Sequence, residues 1–336
     1  MSARAVSAPL TRRGFLASAL GAGLVLAGCA STSTTAPTSA SAKGFPVSVP
    51  GSLGTATLKA PPRRVATVGY LRDTDIAVAL GVDLVLSSRN TLFNSGMAAW
   101  ATPKPGTKLI YAGSSPSFED IAAARPDVIL ANDDFNLAAD YPLLSKIAPT
   151  LSYAHGVNKD TWTEMTQRAG DLLGKRALAE QLINQVQRKI TSARSAHPEF
   201  AGKTFTFGPV YGSGQIYTIS STTDPSAGFF GQLGMKLAPT VTTLPPSSTP
   251  SRALISPEQI QLLDADIVIL SYDTPRTQAT FEANPLFKNL AAVKRGSYLG
   301  MDLGTAVALA FPSVLSIPYA LDAVVPKLAT AAKNSG

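Results

Sequence analysis

Cysteine and histidine are nearly absent from this chain. Its 336 residues contain one cysteine and two histidines, so it can form no internal disulfide and no cysteine-cluster metal site, and it has little room for a histidine-rich one. The H-E-x-x-H, G-x-S-x-G and Ser-x-x-Lys signatures of metalloproteases and serine-nucleophile enzymes are also missing. We therefore predict a protein that is not an enzyme and that uses no metal ion or cofactor of its own.

Charge of either sign is sparse, because only 15% of the residues are charged. The formal net charge is +7, but Arg4, Arg12 and Arg13 supply three of these charges, and removing the first 28 residues, which contain no acid, leaves 26 − 22 = +4. The remaining basic residues are scattered, which argues against a nucleic-acid-binding surface. Hydrophobic residues make up 45% of the chain, which is enough for two lobes of ordinary size.

An apolar run near the N-terminus is too short to cross a membrane, which takes ~20 residues. It covers residues 15–27, follows Arg12-Arg13 and precedes Cys29, as is typical of a signal peptide. The arginine pair resembles a twin-arginine signal. The sequence Leu-Ala-Gly-Cys resembles a bacterial lipobox, which implies that Cys29 becomes a lipid-linked N-terminus; the alternative is a small apolar residue within the signal. Residues 30–42 are almost entirely Ser, Thr, Ala and Pro, so we expect a flexible tether.

One long amphipathic helix is predicted over residues 171–196. Leucine, valine and isoleucine recur every four residues from Leu178 to Ile190, no proline interrupts the stretch, and its one glycine, Gly174, lies near the start. Taken alone, this pattern also fits an ordinary helix packed on a core. Its position between two similar halves of the chain favours a helix that joins them.

The two halves share a repeated pattern. The motif Ser-x-Glu-x-Ile begins at Ser117 and recurs at Ser256, 139 residues later (256 − 117), and each copy precedes an aspartate and a buried strand. The strand-like runs 64–69 and 203–208 match at the same offset (203 − 64). We therefore predict an α/β fold of two Rossmann-like lobes joined by a single long helix. The predicted boundaries are 1–28 for the signal peptide, 29–44 for the tether, 45–170 for the first lobe, 171–197 for the helix and 198–336 for the second lobe, whose terminal helix packs back.

Ligands of open α/β sheets bind outside the carboxyl ends of the strands, so residues just after strands are candidates for ligand contact. Arginine and aromatic side chains stand at several such positions, and Trp162 lies on the approach to the long helix. Arginines are often solvated and tyrosines often packed, which is the alternative for each. The predicted ligand-binding residues are Tyr70, Arg72, Arg89, Trp162, Tyr211, Tyr272 and Arg276.

The chain resembles the substrate-binding lipoproteins of ABC importers for iron-siderophores (ferric citrate and ferrichrome), haem and cobalamin, and among them most closely the actinobacterial ferric-siderophore binders. The resemblance covers residues 45–330. It is carried by Pro62-x-Arg64-Val65, Leu80-Gly81-Val82, Ser117-x-Glu119-x-Ile121, residues 126–129 and 143–150, Ser256-x-Glu258, and residues 264–266 and 310–316. It implies a monomer that is lipid-anchored to the outer face of the cytoplasmic membrane, binds a ferric siderophore in the cleft between its lobes and moves little about its hinge.

The resemblance also implies a docking role for Glu119 and Glu258. In the cobalamin and ferrichrome relatives, one surface glutamate in each lobe docks into arginine pockets of the permease dimer, and these two residues occupy the matching motif positions. The alternative is that each glutamate only complements the dipole of the helix whose first turn it occupies.

Two classes of ligand remain open at this point. An anionic ferric catecholate or citrate complex would suit arginines that bond oxygen in pairs, whereas a hydroxamate complex is nearer neutral and suits aromatic walls with fewer charges. An alternative function is a lipid-anchored protein of the same fold that binds haem, cobalamin or a protein partner without a transport role.

Overall fold

The computed structural model describes residues 44–111, 115–249 and 251–336, which form two α/β lobes and the helix that joins them. Cys29, the arginine pair and the predicted tether lie outside the described residues. The first lobe contains, in chain order, β1 (Val47–Gly51), β2 (Gly54–Leu58), β3 (Val65–Thr67), α1 (Arg72–Ala79), β4 (Leu84–Arg89), β5 (Lys108–Tyr111), α2 (Phe118–Ala123), β6 (Val128–Leu130), α3 (Leu137–Ile147), β7 (Thr150–Leu151) and α4 (Trp162–Leu172).

The sheet of the first lobe is wholly parallel, with strand order β5-β4-β3-β6-β7. Its strands β3 and β6 are buried at every position, as expected for the interior of a parallel sheet that is covered on both faces. A separate antiparallel hairpin of β1 and β2 packs against α4 and β7. The carboxyl ends of β3, β4 and β6 therefore meet at one edge of the sheet, which faces the second lobe.

The joining helix is α5 (Arg176–Ala196), and it begins five residues later than the sequence predicts. Gly174 has a φ of +68°, a left-handed conformation that ends α4 and separates it from α5. The helices α4 and α5 pack against each other, so the apolar spacing of the sequence continues across the turn between them. The spacing alone therefore does not indicate the break. The predicted helix across 171–197 is thus wrong at its start.

The second lobe has a mixed sheet. Its elements are a 3₁₀ helix (Pro198–Phe200), β8 (Thr204–Val210), β9 (Ile216–Ile219), α6 (Pro225–Gln232), β10 (Lys236–Leu237), α7 (Pro239–Thr242), β11 (Arg252–Ile255), a second 3₁₀ helix (Pro257–Leu263), β12 (Ile267–Tyr272), α8 (Pro275–Glu282), α9 (Pro285–Lys288), α10 (Ala291–Lys294), β13 (Tyr298–Asp302), α11 (Leu303–Ala310) and α12 (Ser316–Lys333). The strand order is β11-β9-β8-β12-β13, with β10 beside β8; β8, β12 and β13 run parallel, and β9 and β11 run antiparallel to their neighbours.

The two copies of the Ser-x-Glu-x-Ile motif differ in structure. The side chain of Ser117 accepts a hydrogen bond from the backbone N–H of Asp120 and caps α2, as the sequence predicts. The side chain of Ser256 makes no such bond, and the segment after it is a 3₁₀ helix rather than an α-helix. Ser256 therefore forms no capping box, and its hydroxyl donates to the side-chain oxygen of Gln259 instead.

The C-terminal helix α12 closes the fold by packing on α5 and β13. It follows a short connection after α11, where Pro312 interrupts the helical pattern, and its buried face belongs to the largest apolar core. The helix α12 thus belongs to the second lobe and also packs on the joining helix α5. The predicted two-lobe α/β fold with a single joining helix is confirmed. No helix in the described ranges is long and apolar enough to span a bilayer.

Candidate functional site

A cavity of about 610 Å³ lies between the lobes, beyond the carboxyl ends of β3 and β8. The first lobe contributes few of its wall residues, and the second lobe contributes most of them. The residues that carry its chemistry are Tyr70, Phe135 and Asn158 from the first lobe and Phe207, Tyr211, Tyr217, Arg252, Asp273 and Phe311 from the second. The position agrees with the rule that open α/β sheets bind ligands where their strands end.

Aromatic rings dominate the cavity wall. Tyr70 and Phe311 come from opposite lobes, and their ring centroids are 4.9 Å apart; Phe135 lies 5.9 Å from each of them. Tyr211 and Tyr217, on the two sides of the β8–β9 turn, form an edge-on pair at 6.1 Å. Phe135 is 41% exposed, so a large apolar ring is open to whatever enters the cavity. The wall thus offers π-faces from both lobes to a bound molecule.

One arginine and one aspartate are the charged residues of this wall. Arg252 is 8% exposed, and its Nε lies 3.4 Å from Oδ2 of the buried Asp224. Burial raises the pKa of Asp273, but hydrogen bonds from the Gly212 backbone and from Thr277 outweigh this effect and lower it. Asp273 is therefore ionised at neutral pH, so the wall carries one charge of each sign.

A buried ionic network lies behind the first-lobe wall. Arg72 donates from Nε and Nη2 to Oδ1 of Asp133, at 2.8 and 2.5 Å, and from Nη2 to Oδ1 of Asn158, at 3.0 Å. Oδ2 of Asp133 accepts the backbone N–H groups of Leu71 and Arg72, both at 2.9 Å, and so caps α1 from the end of β6. Asp73 and Asp75, the acidic residues at the start of this helix in the sequence, do not cap it, because both lie inside its first turn.

Both of those aspartates are fully buried and hold neighbouring segments together. Burial, and then the charge of Asp133, raise the pKa of Asp73 to about 7, although Asn132 donates a hydrogen bond to it. Burial raises the pKa of Asp75 to about 7 as well, although its Oδ2 accepts hydrogen bonds from Trp100 at 2.9 Å and Ser313 at 2.5 Å. Since Ser313 precedes α12, Asp75 ties α1 to the C-terminal segment.

Two of the seven predicted ligand-binding residues, Tyr70 and Tyr211, line this cavity. Tyr272 forms part of the wall of an adjoining cavity of about 690 Å³, and its hydroxyl is hydrogen-bonded to that of Tyr298. Arg276 lines a separate cavity of about 580 Å³ on the outer side of the β8–β9 turn. Tyr272 and Arg276 therefore lie near the main cavity without forming its wall.

The other three predicted residues lie elsewhere. Arg72 is 1% exposed and sits behind the wall, in the ionic network. Arg89 is exposed at the end of β4, where its guanidinium donates to the carbonyl of Asn94. Trp162, expected near the mouth between the lobes, is buried in the core at the start of α4, because it shares a helix face with Met165 and Ala169. The structure therefore does not bring these three side chains to the cavity.

Several residues of the cavity wall are not among those predicted from the sequence to bind ligand. Phe135, Phe207 and Phe311 read as core residues, and Arg252 stands at the start of a strand rather than after its end. Asn158 has a φ of +55°, and only the preference of asparagine for turns pointed to an unusual backbone there. Choosing the residues that follow strand ends identifies one rim of a cleft. It does not identify cavity residues that come from strand faces or from distant loops.

The predicted docking glutamates are both on the surface. Glu119 is exposed in α2 of the first lobe, and Glu258 is exposed in the second 3₁₀ helix of the second lobe. Within the described ranges neither carboxylate has an ion-pair partner, and Lys108 pairs instead with Asp120. Each lobe thus presents one solvated acidic side chain at matching positions of the repeat.

One group of side chains in the described part of the chain has metal-ligand geometry. The ligand atoms of His155, Asp160 and Glu164 lie within 4.8 Å of one another. Asp160 already accepts the backbone N–H groups of Ala154 and His155, and Arg168 lies 3.4 Å from its Oδ2. The positive charge of Arg168 disfavours a metal cation at this place, so these residues form a polar cluster around the start of α4.

The sequence is similar to that of known binding proteins. A profile of the family described as periplasmic binding protein matches residues 73–302. The Fe(3+)-citrate-binding protein YfmC of Bacillus subtilis (strain 168) is 26% identical over 195 residues, which cover 57% of this chain and 58% of YfmC. The chain thus aligns with less than two thirds of the length of that relative.

Solved structures agree with the fold over most of the chain. A periplasmic solute binding protein from Mycobacterium smegmatis str. MC2 155 is 26% identical, with a TM-score of 0.72 and coverage of 85% of this chain and 99% of that one. PiaA of Streptococcus pneumoniae TIGR4, solved in complex with ferrichrome, is 25% identical, with a TM-score of 0.73 and coverage of 86% and 99%. These matches confirm the predicted resemblance and a binding rather than an enzymatic role, and the profile covers more than half of the sequence. The chain belongs to the periplasmic binding protein family.

Proposed function

We propose that the protein captures a ferric hydroxamate siderophore in the cavity between its lobes and delivers it to the permease of an ABC importer. The observation that carries the proposal is the composition of the cavity wall, in which six aromatic rings accompany a single arginine and a single aspartate. The relatives named for ferric citrate and for ferrichrome support iron chelates as the ligand class. Their names leave the choice between the two chelates open, and the composition of the wall favours a hydroxamate complex.

Charge separates the candidate ligands. Three hydroxamate groups lose three protons on binding Fe³⁺, so their complex is neutral, whereas tris-catecholate and citrate complexes carry net negative charge. An anion in this largely apolar cavity would lose its hydration without gaining a free counter-charge, because Arg252, the one cation of the wall, already lies beside the buried Asp224 and Asp273 adds a negative charge. A neutral complex loses less hydration and gains contact with the rings. The wall therefore favours the hydroxamate class over the two anionic ones.

Arg252 supplies the polar anchor in this proposal. Its guanidinium is mostly buried and held near Asp224, so it is ordered before the ligand arrives. Guanidinium groups donate in pairs to neighbouring oxygens, a pattern that fits the oxygen pairs of a metal-bound hydroxamate. Tyr70 and Tyr211 would add ring contacts from opposite lobes.

Titration of the purified protein by quenching of its tryptophan and tyrosine fluorescence tests the ligand class. We expect saturable quenching by ferrichrome at micromolar or lower concentration, and weaker binding of ferric citrate, ferric catecholates, haem and cobalamin. Arg252→Met should weaken ferrichrome binding about tenfold or more, since the charged hydrogen bonds are lost. Arg276→Met is the matched control, because Arg276 does not line the cavity. Tighter binding of a citrate or catecholate complex would contradict the proposal.

Delivery would use Glu119 and Glu258, one on each lobe. A permease with two-fold symmetry presents the same pocket twice, and the two exposed glutamates stand at equivalent positions of the repeat. Replacing both with alanine should abolish uptake of radioactive iron as ferrichrome while the affinity for ferrichrome in solution stays unchanged. Substitution of the exposed Glu180 on α5 is the control. Normal uptake by the double variant would remove the docking role.

The N-terminal residues complete the proposal with a membrane anchor and an export route. The purified protein would be a monomer, exported in the folded state and held at the outer face of the cytoplasmic membrane by lipid on Cys29. Cys29→Ala should abolish incorporation of labelled palmitate and release the protein into the medium. Replacing Arg12 and Arg13 with lysine should leave it in the cytoplasm. Labelled, membrane-bound protein in both variants would contradict this assignment.

A further inference from the structure

Asn158 combines three features in the wall of the cavity. It lies in the loop between β7 and α4, it is 7% exposed, and its φ of +55° places a non-glycine residue in the left-handed region. Asparagine tolerates that region better than most residues, but a single residue held there still requires support from its surroundings. The support comes from the ionic network of the first lobe.

Arg72 determines which end of the Asn158 carboxamide faces the cavity. Its Nη2 donates to Oδ1 of Asn158 at 3.0 Å. A guanidinium has donors and no acceptor, so the carboxamide must turn its oxygen toward Arg72 and its NH₂ group away from it. Within the described ranges this NH₂ group has no acceptor, although the residue is more than nine-tenths buried. An ordered donor therefore stands at the cavity wall.

Arg72 itself has almost no freedom. Two of its nitrogens bond Asp133, whose other oxygen accepts two backbone N–H groups of α1, and the arginine is 1% exposed. Its guanidinium carbon also lies 5.9 Å from the ring centroid of Phe311, which belongs to the opposite side of the cavity. The donor of Asn158 is thus held in place before any ligand binds, and such preorganisation lowers the entropic cost of binding.

We propose that the NH₂ group of Asn158 donates a hydrogen bond to an iron-bound oxygen of the chelate, and that Arg72 is a positioning residue that acts through Asn158. This inference rests on the proposed function and adds a specificity contact from the first lobe. A chelate that places a carbonyl or hydroxamate oxygen at this point satisfies the donor. One that places a methylene or an amine there leaves the donor buried and unpaired.

Asn158→Gly is the decisive variant, because glycine adopts a positive φ without strain and lacks the carboxamide. We expect it to bind ferrichrome about tenfold more weakly than the wild type, while its thermal midpoint falls only slightly, because relief of strain at the positive φ offsets part of the lost bond to Arg72. Arg125→Gly is the matched control, since Arg125 also has a positive φ of 44° but is exposed at the end of α2, outside the cavity wall. Its affinity for ferrichrome should equal that of the wild type.

The outcomes separate the two proposals. If the wild type binds ferrichrome and Asn158→Gly binds it within twofold as tightly, the contact is wrong and the proposed function stands. If the wild type binds no ferric chelate at all, the proposed function fails, and the inference fails with it.

Two further measurements address positioning. The side-chain ¹⁵NH₂ resonances of Asn158 can be assigned by their absence from the spectrum of Asn158→Gly. They should shift strongly when the diamagnetic gallium complex of ferrichrome binds, and unshifted resonances would overturn the contact. Arg72→Lys keeps the charge beside Asp133 but loses the fixed fork of donors. It should weaken binding in the wild-type background and change nothing in the Asn158→Gly background, whereas equal losses in both would refute an action through Asn158.

Discussion

Replacing Arg72 with methionine should strongly destabilise the fold. The methionine keeps much of the length of the arginine side chain but removes its charge and its donors. Oδ1 of Asp133 then loses the bonds from Nε and Nη2, at 2.8 and 2.5 Å, while Oδ2 keeps the backbone N–H groups at the start of α1. Asp133 is 3% exposed, so its carboxylate would remain buried without a counter-charge.

The expected loss follows from that burial. Removing one partner of a buried ion pair costs about 3–5 kcal/mol, because the remaining charge is neither solvated nor paired. With a urea dependence of about 3 kcal/mol per molar, the unfolding midpoint should fall by about 1–1.7 M. This is a large part of the roughly 5–15 kcal/mol that stabilises a typical folded domain.

Urea unfolding followed by circular dichroism at pH 7.5 measures the effect. Arg276→Met is the control for loss of an exposed arginine and should lie within about 0.5 kcal/mol of the wild type. The double variant Arg72→Met with Asp133→Asn should recover at least half of the loss, since no uncompensated charge stays buried. A loss below about 1 kcal/mol for Arg72→Met, or no recovery in the double variant, would refute the reasoning.

Three further perturbations test other parts of the structure. Acidification from pH 7.5 to 5 should raise the urea midpoint, because burial raises the pKa of Asp73 and Asp75 to about 7. From about pH 7 down to about pH 4 the folded state therefore binds protons that the unfolded chain does not, which adds up to about 1.4 kcal/mol of stability per pH unit for each group. A falling midpoint would contradict this. Gly208→Ala should cost about 3 kcal/mol in the same assay, since the new Cβ would lie 1.9 Å from the backbone oxygen of Tyr217; a loss under 1 kcal/mol would mean that the strand moves freely. Phe230→Ala should cost about 3–5 kcal/mol, because this fully buried ring packs on three neighbouring phenylalanines; thermal unfolding with an unchanged midpoint would contradict it.

The fold was largely predictable because local signals repeat at a fixed offset. Short-range chemistry that is visible in the sequence determines the cap at Ser117, the strand runs and the β8–β9 turn after Tyr211. The errors occurred where tertiary packing overrides such signals. Gly174 breaks a helix whose apolar period continues through the turn, and Ser256 begins a 3₁₀ helix although its motif matches that of Ser117.

The site was less predictable because a cavity is assembled from residues that are distant in sequence. Arg72 follows a strand end, as a ligand contact would, but Asp133 follows the neighbouring strand and pairs with it. That partner was visible in the sequence, since parallel neighbours end at the same edge of a sheet. No local sequence pattern, by contrast, indicates that Phe311 and Arg252 line the same cavity as Tyr70.

The contacts between lobes also bear on how the cavity opens. Asp75 bonds Ser313, Trp100 packs on Tyr319 at 5.0 Å, and Tyr70 packs on Phe311 at 4.9 Å. A hydrogen bond to a charged group contributes about 1.5–3 kcal/mol and each aromatic pair about 0.5–1.5 kcal/mol, so opening the lobes breaks contacts that total about 2.5–6 kcal/mol. These contacts therefore disfavour an open state. We therefore predict that the cavity is formed before a ligand arrives. Binding would then need only small motions at its mouth, where Phe135 is exposed, as expected for a single rigid helix between the lobes.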